Sequence, residues 1–282
     1  MEEKRGKVRI SVIMGAYDCE DTLEEAVESI LAQTRTDWEL LIRDDGSTDG
    51  TWDKIKELAE KDPRIRPFRN KGNKGLSKTL NLCLLDAKGE YVARMDADDV
   101  CSPNRFELQA TVLDSGKWDI VGSEMTLFDE NGEWGTARCP EFPTKEDVVE
   151  GTAIFHATTM TRRERLIEVA GYSESKRKER VEDLDLWIRM YQRGCRCRNL
   201  QIPLYSMRDD RAAGNRRKYR YRINSTTTRL EGCERLGLGT KSKLKAFKPM
   251  IAGLLPKKVR RAIRKKLSGT NDGNAKGTKE AL

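Results

Sequence analysis

Tyr91-Val92-Ala93-Arg94-Met95-Asp96-Ala97-Asp98-Asp99 is the stretch on which the reading of the fold turns. Its first five residues read as a short buried strand, and three carboxylates stand within the next four positions. Like charges packed that closely repel, and a fold keeps them together mainly when a cation neutralises them. A divalent ion that also carries phosphate suits the pattern, because Mg²⁺ is usually held by one or two carboxylates plus phosphate oxygens. A solvated acidic turn is the plain alternative, and the cluster by itself does not separate the two.

Upstream, strands and helices alternate. Val8 to Met14 is β-branched and apolar and reads as a buried strand, with Gly15-Ala16-Tyr17-Asp18 as the loop after it. Thr22 to Gln33 has Leu23, Ala26, Val27, Ile30 and Leu31 at helical spacing. Glu39 to Arg43 reads as a second strand, Asp44 to Gly50 as a turn, and a helix continues to Glu60. A third strand, Arg64 to Phe68, precedes a loop at Asn70 to Gly75 and a helix at Leu76 to Ala87. This alternation predicts an α/β fold with a Rossmann-like, mostly parallel central sheet flanked by helices. Ligands of such sheets bind beyond the carboxyl ends of the strands. The loops at Gly15–Asp18, Asp44–Ser47 and Asp96–Asp99 are therefore expected on one rim.

The second half is less regular and is expected to form a smaller subregion. Pro103 to Leu113 reads as a helix, Trp118 to Val121 as a strand, and Phe128 to Gly135 as a hairpin turn around Asn131-Gly132. Ala153 to Thr161 is strand-like and contains His156, the only histidine. Gly171 to Arg180 is polar and expected to be mobile. Leu184, Trp187, Ile188 and Tyr191 mark a helix that starts near Glu182-Asp183. Trp118 and Trp187 read as core residues, and residues 268–282 as disordered.

Charge is unevenly spread. The net charge is +8, yet Lys241 to Leu267 alone holds eleven Lys and Arg and no acid, which leaves residues 1–240 mildly acidic. That argues against a nucleic-acid binder. Within the basic segment, Leu244, Phe247, Ile251, Leu254 and Leu255 share a helical face, a stripe continued by Val259, Ile263 and Leu267, with Pro249 and Pro256 dividing it into two short helices. Apolar stripes flanked by cations suit an anionic membrane surface; a charged helix packed on the body is the alternative. No run approaches the ~20 apolar residues of a membrane span, and the N-terminus lacks a signal-like apolar stretch. Seven cysteines without CxxC spacing read as free thiols in a reducing compartment. The expectation is a cytoplasmic protein, peripheral on the cytosolic membrane face.

These residues resemble the family 2 inverting glycosyltransferases of GT-A fold. The resemblance rests on Ser11-Val12-Ile13-Met14-Gly15-Ala16-Tyr17, Asp44-Asp45-Gly46-Ser47-Thr48-Asp49-Gly50-Thr51, and Asn73-Lys74-Gly75-Leu76 with Leu80-Asn81. Gly89 through Asp99 and Glu182-Asp183-Leu184-Asp185-Leu186-Trp187 complete it. The pieces keep the family's order and cover roughly residues 8 to 210. The resemblance implies a catalytic domain over 1–240, with a nucleotide-binding half at about 8–100 and an acceptor half at 101–210. The basic segment 241–267 and the tail follow.

It further implies a hexosyltransferase-type enzyme of cell-envelope polysaccharide biosynthesis. Such an enzyme moves a sugar from a nucleotide-diphosphate donor, UDP-sugars favoured, to a hydroxyl of a glycan or lipid-linked acceptor. Gly15, Ala16, Tyr17 and Asp45 would hold the nucleotide, and Asp96 with Ala97 the ribose side of the donor. Asp98 of the Asp-x-Asp pattern would bind Mg²⁺ or Mn²⁺, supported by Asp99, and Asp183 would be the catalytic base. Three departures stand out: the Gln-x-x-Arg-Trp motif and membrane spans of processive members are missing, Arg43 replaces the usual apolar residue before the first Asp-Asp, and Ala157 replaces the proline that usually follows the histidine.

Other readings accompany these. Glu182 and Asp183 also suit a helix cap. His156 is either a packed core histidine or a contact to donor phosphates or acceptor, with Glu182 a neighbouring candidate. Arg208 is either a bidentate clamp on the diphosphate or a solvated arginine. A sugar-nucleotidyltransferase would need a Gly-rich, basic phosphate loop after the first strand, where this chain has Gly15-Ala16-Tyr17-Asp18-Cys19. A non-enzymatic nucleic-acid or membrane-binding module would leave the ordered acid clusters unexplained.

Overall fold

The first strand is apolar on both faces because it lies between two parallel neighbours with helices above and below. In the computed structural model, which describes residues 8–151, 153–209 and 219–254, β1 (Ile10–Ala16) pairs in parallel with β2 (Trp38–Asp44) and β4 (Tyr91–Asp96). β2 pairs in parallel with β3 (Ile65–Arg69). The crossovers are α1 (Glu20–Leu31), α2 (Thr51–Lys61) and α3 (Leu76–Asp86). Val12, Met14, Leu40 and Ile42 pack with Leu23, Val27 and Ile30 of α1 on one face. Ile13, Leu41 and Val92 pack with Leu80, Cys83 and Leu84 of α3 on the other.

Register fixes the rim. Gly15 stands opposite Arg43 on one side and Asp96 on the other, and Ala16 stands opposite Asp44. The acidic ends of β2 and β4 therefore flank the end of β1, as the alternation predicts. Gly15 and Ala16 belong to the strand itself, because pairing on both sides carries β1 beyond Met14.

The second half extends the same sheet. β5 (Val100–Cys101) and α4 (Arg105–Asp114) lead to β6 (Ile120–Asp129), which turns at Gly132, φ +104°, into β7 (Gly132–Ala137). After α5 (Lys145–Glu150) come β8 (Met160–Arg162), α6 (Arg163–Glu168), α7 (Glu182–Gln192) and β9 (Cys197–Arg208). The sheet order is β3-β2-β1-β4-β8-β6-β9-β5, with β7 beside β6. Beyond β4 antiparallel pairs enter, and β6 with β9 is parallel again. α8 (Tyr219–Arg235), α9 (Thr240–Lys245) and α10 (Lys248–Leu254) close the described chain.

Three expectations are corrected. Ala153 to Thr161 is not one strand: His156–Thr158 forms a 3₁₀ turn, and only Met160–Arg162 is extended. The Thr158 and Thr159 hydroxyls donate to the carbonyls of Phe155 and His156 at 2.9 and 2.8 Å, closing the turn locally. The stretch 171–180 is tied down rather than loose. Asn81 brackets the Tyr172 backbone with two bonds of 2.8 Å, and Asn224 donates to the carbonyls of Lys176 and Glu179. Thirdly, the break in the basic segment falls at residues 246–247, with Pro249 inside the first turn of α10, where its missing N–H costs no helical bond.

The basic segment docks on the body through buried Ala246 and through Lys245 and Lys248, which both pair with Glu150, the latter at 3.2 Å. Leu244, Phe247 and Ile251 remain exposed. Pro256, the stripe from Leu255 to Leu267 and the tail 268–282 lie outside the described residues. Among the described residues no helix is long and apolar enough to cross a membrane. All seven cysteines are free thiols.

Candidate active site

The acidic turn at the end of β4 treats its three carboxylates differently. Asp96 pairs with Arg94, two residues back on the same strand face. The Asp96 N–H donates to the Tyr205 hydroxyl at 3.1 Å, and that hydroxyl donates to Asp99 Oδ2 at 2.9 Å. The Arg208 N–H donates to Asp99 Oδ1 at 2.7 Å. Asp99 is thus a buried brace, 2% exposed, that locks the turn to β9. Burial, then the charges of Asp96 and Asp98, push its carboxyl up to about 7. Asp98 is exposed at the surface of the turn and takes no ion pair or hydrogen bond from another described side chain. The protein crowding its base, and Asp96 beside it, still raise its carboxyl above the ordinary range.

This donor set suits one kind of cation. Among the described residues no three His, Cys, Asp or Glu side chains converge into a cage. One outward carboxylate on a braced turn does not fit a resident structural metal. It fits a hard divalent ion that brings phosphate oxygens as its other ligands.

At the end of β2 the carboxylates are occupied by the chain. Asp45 Oδ1 accepts from Asn70 Nδ2 and the Lys74 N–H, and Oδ2 accepts from the Gly75 N–H, all at 2.8 Å. A carboxylate offers about four lone-pair sites, so one remains, on Oδ2. Asp45 therefore shapes the loop Asn73–Gly75, and Gly75 holds φ +84° there. Asp44 accepts from the N–H and hydroxyl of Ser47. Tyr17 stands half-exposed above this wall. Gly15 leaves little room for a side chain: an added Cβ would meet Thr79 Cγ2 at 3.3 Å.

A cleft of about 830 Å³ runs from this wall to the segment before α7. Gly15, Ala16, Tyr17 and Asp45 line one side, and Ser173 to Lys176, Glu179, Arg180 and Glu182 the other. The acidic turn at Asp96–Asp99 and Asp183 are not among its lining residues. Asp183 follows Glu182 in the first turn of α7, where Oδ1 accepts the Leu184 N–H at 2.7 Å. Burial raises the Glu182 carboxyl, with Asp183 adding to it. Val181 occupies the cap position of α7 and makes no side-chain cap bond.

His156 Nε2 lies 2.8 Å from the Tyr172 hydroxyl, with Trp187 edge-on at 6.0 Å. Burial, then the charge of Arg94, hold this imidazole well below its ordinary pKa, so it is neutral. Arg208 braces the acidic turn: its Nε donates to the Asp98 carbonyl at 3.1 Å, its Nη2 pairs with Glu25, and its guanidinium lies 4.6 Å over the Phe128 ring. The Ala97 carbonyl accepts from Thr22 Oγ1 at 3.0 Å.

Sequence reasoning missed Arg94. It is 4% exposed, and its charge reaches Asp96, His156 and Tyr172. The signal was present: a cation inside an apolar strand has to find an anion when the strand is buried. Arg105, fully buried, donates to the carbonyls of Arg94 and Thr159 and fastens β4 to the His156 turn.

Residues 11–173 match the family model for glycosyl transferase family 2. EpsE of Bacillus subtilis (strain 168), named as a glycosyltransferase, is 40% identical over 260 residues, covering 92% of this chain and 94% of that protein. The Escherichia coli protein WfgD, named UDP-Glc:alpha-D-GlcNAc-diphosphoundecaprenol beta-1,3-glucosyltransferase, is 30% identical over 51% of this chain and 56% of its own length. Among solved structures, S. aureus TarS (residues 1–349) in complex with UDP superposes with a TM-score of 0.68 at 18% identity, covering 86% of this chain and 71% of that one. The mannosyltransferase PcManGT from Pyrobaculum calidifontis, in complex with GDP-Man and Mn2+, gives 0.58 at 16% identity, over 93% and 80%. The likeness in fold and the match in sequence agree, and they set aside the nucleotidyltransferase and the non-enzymatic module: this chain is a glycosyltransferase of GT-A fold and belongs to glycosyl transferase family 2.

Proposed function

We propose that this chain is an inverting, metal-assisted glycosyltransferase that moves a sugar from a UDP-sugar to a hydroxyl of a lipid-linked or glycan acceptor, with Asp183 as base. The observation that carries the reading is the cleft itself, which joins the strand-end wall at Gly15–Tyr17 and Asp45 to the segment that leads into Asp183. TarS binds UDP, and WfgD is named for a UDP-sugar and a diphospholipid acceptor, which supports UDP and a cell-envelope role. PcManGT with Mn2+ supports a divalent ion.

In this reading Gly15, Ala16 and Tyr17 seat the nucleotide, Asp45 holds the loop against it, and Asp96 meets the ribose side. Asp98 would hold Mg²⁺ or Mn²⁺, with Asp99 keeping the turn in place; the ion supplies neutralisation of the charge growing on the leaving diphosphate. Asp183 takes the proton of the acceptor hydroxyl as it attacks the anomeric carbon from the opposite face. His156, neutral, is packed against Tyr172 and Trp187, the latter on the helix that begins with Glu182 and Asp183.

Replacing Asp183 with Asn is expected to cut transfer by about 10²- to 10⁴-fold, the usual worth of a positioned base, with UDP affinity unchanged. Transfer at the wild-type rate would remove Asp183 from this role. Thermal-shift screening of nucleotide sugars with Mn²⁺ or Mg²⁺ identifies the donor first.

The reading includes peripheral attachment to the cytosolic membrane face through the basic segment. Leu244, Phe247 and Ile251 are exposed at i, i+3 and i+7 spacing beside Lys241, Lys243 and Lys248. The triple substitution Leu244→Gln, Phe247→Gln, Ile251→Gln should lower sedimentation with anionic liposomes at least several-fold and leave neutral liposomes indifferent. Unchanged sedimentation would sink the attachment.

A further inference from the structure

The mouth of the cleft is lined by four cations and four acids: Lys74, Lys78, Lys176 and Arg180 against Asp45, Glu174, Glu179 and Glu182. Most of these charges are already used. Asp45 is taken up by the Asn73–Gly75 loop, Lys78 pairs with Glu174 at 3.3 Å, and Glu179 pairs with Arg220 at 3.0 Å. Lys74, Lys176 and Arg180 make no side-chain hydrogen bond or ion pair with another described residue, and Glu182 is the acid left beside them. The three cations come from both walls of the cleft. Lys74 lies on the loop after β3, and the other two on the loop before α7, whose backbone is fixed by Asn81 and Asn224.

Arg180 carries a further sign. Its φ is +65°, a left-handed conformation that a side chain with a Cβ disfavours. Glycine would sit there without cost, so the fold spends conformational strain on keeping a guanidinium at this point of the rim. Arg180 also stands three residues before Asp183, and three residues of chain reach at most about 11 Å. An anion held by Arg180 therefore sits on the cleft wall that leads into Asp183.

We propose that Lys74, Lys176 and Arg180 form an anion site for a diphosphate borne by the acceptor, next to the sugar that receives the transfer. The site rests on the glycosyl-transfer reading and adds the substrate class: a short glycosyl diphosphate, rather than the far end of a neutral polymer. Arg180 offers the forked donor that phosphate oxygens accept, and the two lysines add point charges.

The test uses the full chain saturated with UDP and titrated with decyl diphosphate. Binding is expected, weakened about 10- to 100-fold in Arg180→Ala, the usual loss of a charged hydrogen bond. Arg180→Gly should lose binding equally while unfolding at the wild-type temperature or above, which a merely structural arginine would not do. Absence of binding, or equal binding by Arg180→Ala, overturns the site. Loss of binding when UDP is added means the cations serve the donor's own phosphates, and also overturns it. Equal affinity for decyl glucuronide overturns the diphosphate assignment in favour of a carboxylate. Failure of UDP itself to bind counts against the transfer reading instead; decyl diphosphate is then titrated into the chain alone, and its sensitivity to Arg180→Ala still decides the site.

Discussion

The turns that end β2 and β4 look alike in sequence, Asp44-Asp45-Gly46-Ser47 and Asp96-Ala97-Asp98-Asp99, and differ in what surrounds their carboxylates. At the first turn the acids serve the chain: Asp45 accepts three hydrogen bonds and Asp44 two from Ser47, all within the protein. At the second, two acids are occupied and one is not. Asp96 is held by Arg94, Asp99 is buried under Tyr205 and Arg208, and Asp98 faces outward. Closely spaced acids thus do not announce their task by spacing. A carboxylate whose lone pairs are filled by backbone N–H groups sets loop shape. A carboxylate with its neighbours braced and its own oxygens open is arranged for a cation that arrives with substrate.

The comparison breaks most directly at Asp98. Asp98→Asn should lower transfer by at least about 100-fold, since electrostatic stabilisation of a developing charge commonly contributes 10²–10³. Its unfolding temperature should hold or rise, because one of three crowded charges is gone. Steady-state transfer measured across a Mn²⁺ titration, beside a thermal melt, gives both numbers. A variant that melts early yet transfers normally would reverse the assignment of the two turns.

The converse is Asp45→Asn. An amide cannot accept from all three donors, so one N–H loses its partner, at a cost of about 1–3 kcal/mol. For a domain of this size that is roughly 2–10 °C in the unfolding temperature. Transfer at low temperature should fall only a few-fold. An unchanged melt with a tenfold rise in donor KM would instead make Asp45 a direct nucleotide contact through its remaining Oδ2 lone pair.

The rim was legible because β1, β2 and β4 are short apolar runs separated by helical patterns, and parallel strands so connected must end on the same side. The roles within the turns were legible in part. The resemblance implies Asp98 as metal ligand and Asp99 as its support; the bonds that bury Asp99 come from Tyr205 and Arg208, over a hundred positions away, which no local pattern reveals. Arg208 illustrates the limit: it reads as either a phosphate clamp or a solvated arginine, and its contacts to Glu25, Phe128 and the Asp98 carbonyl come from elements that no local pattern reveals. The His156 segment fails for another reason. Its β-branched threonines favour a strand, and their hydroxyls instead close a turn that Gln109 and Ser123 complete from other elements. Side-chain to backbone bonds of this kind override propensity only once the tertiary partners are in place.

The second turn differs from the first in one more way, which leads to the smallest effect. Asp96 is balanced by a buried cation, and the charge of Arg94 also falls on His156, which burial already disfavours in its protonated form. The folded-state pKa of His156 therefore lies below the unfolded value of about 6.5. Above pH 6.5 neither state is protonated there and the full stability is present. As pH falls below 6.5 the unfolded chain binds a proton that the folded chain refuses, so stability declines, by at most about 1.4 kcal/mol per pH unit from this one group. The first turn has no histidine near it and adds no such slope. In His156→Gln the amide can keep a hydrogen bond to Tyr172 but cannot titrate. Urea unfolding at pH 7.5, 6.5 and 5.5 should show wild type losing stability faster than the variant across the lower interval, whatever their difference at pH 7.5. Parallel profiles would mean that His156 is protonated as easily in the fold as in water, and that the charge of Arg94 is fully absorbed by Asp96.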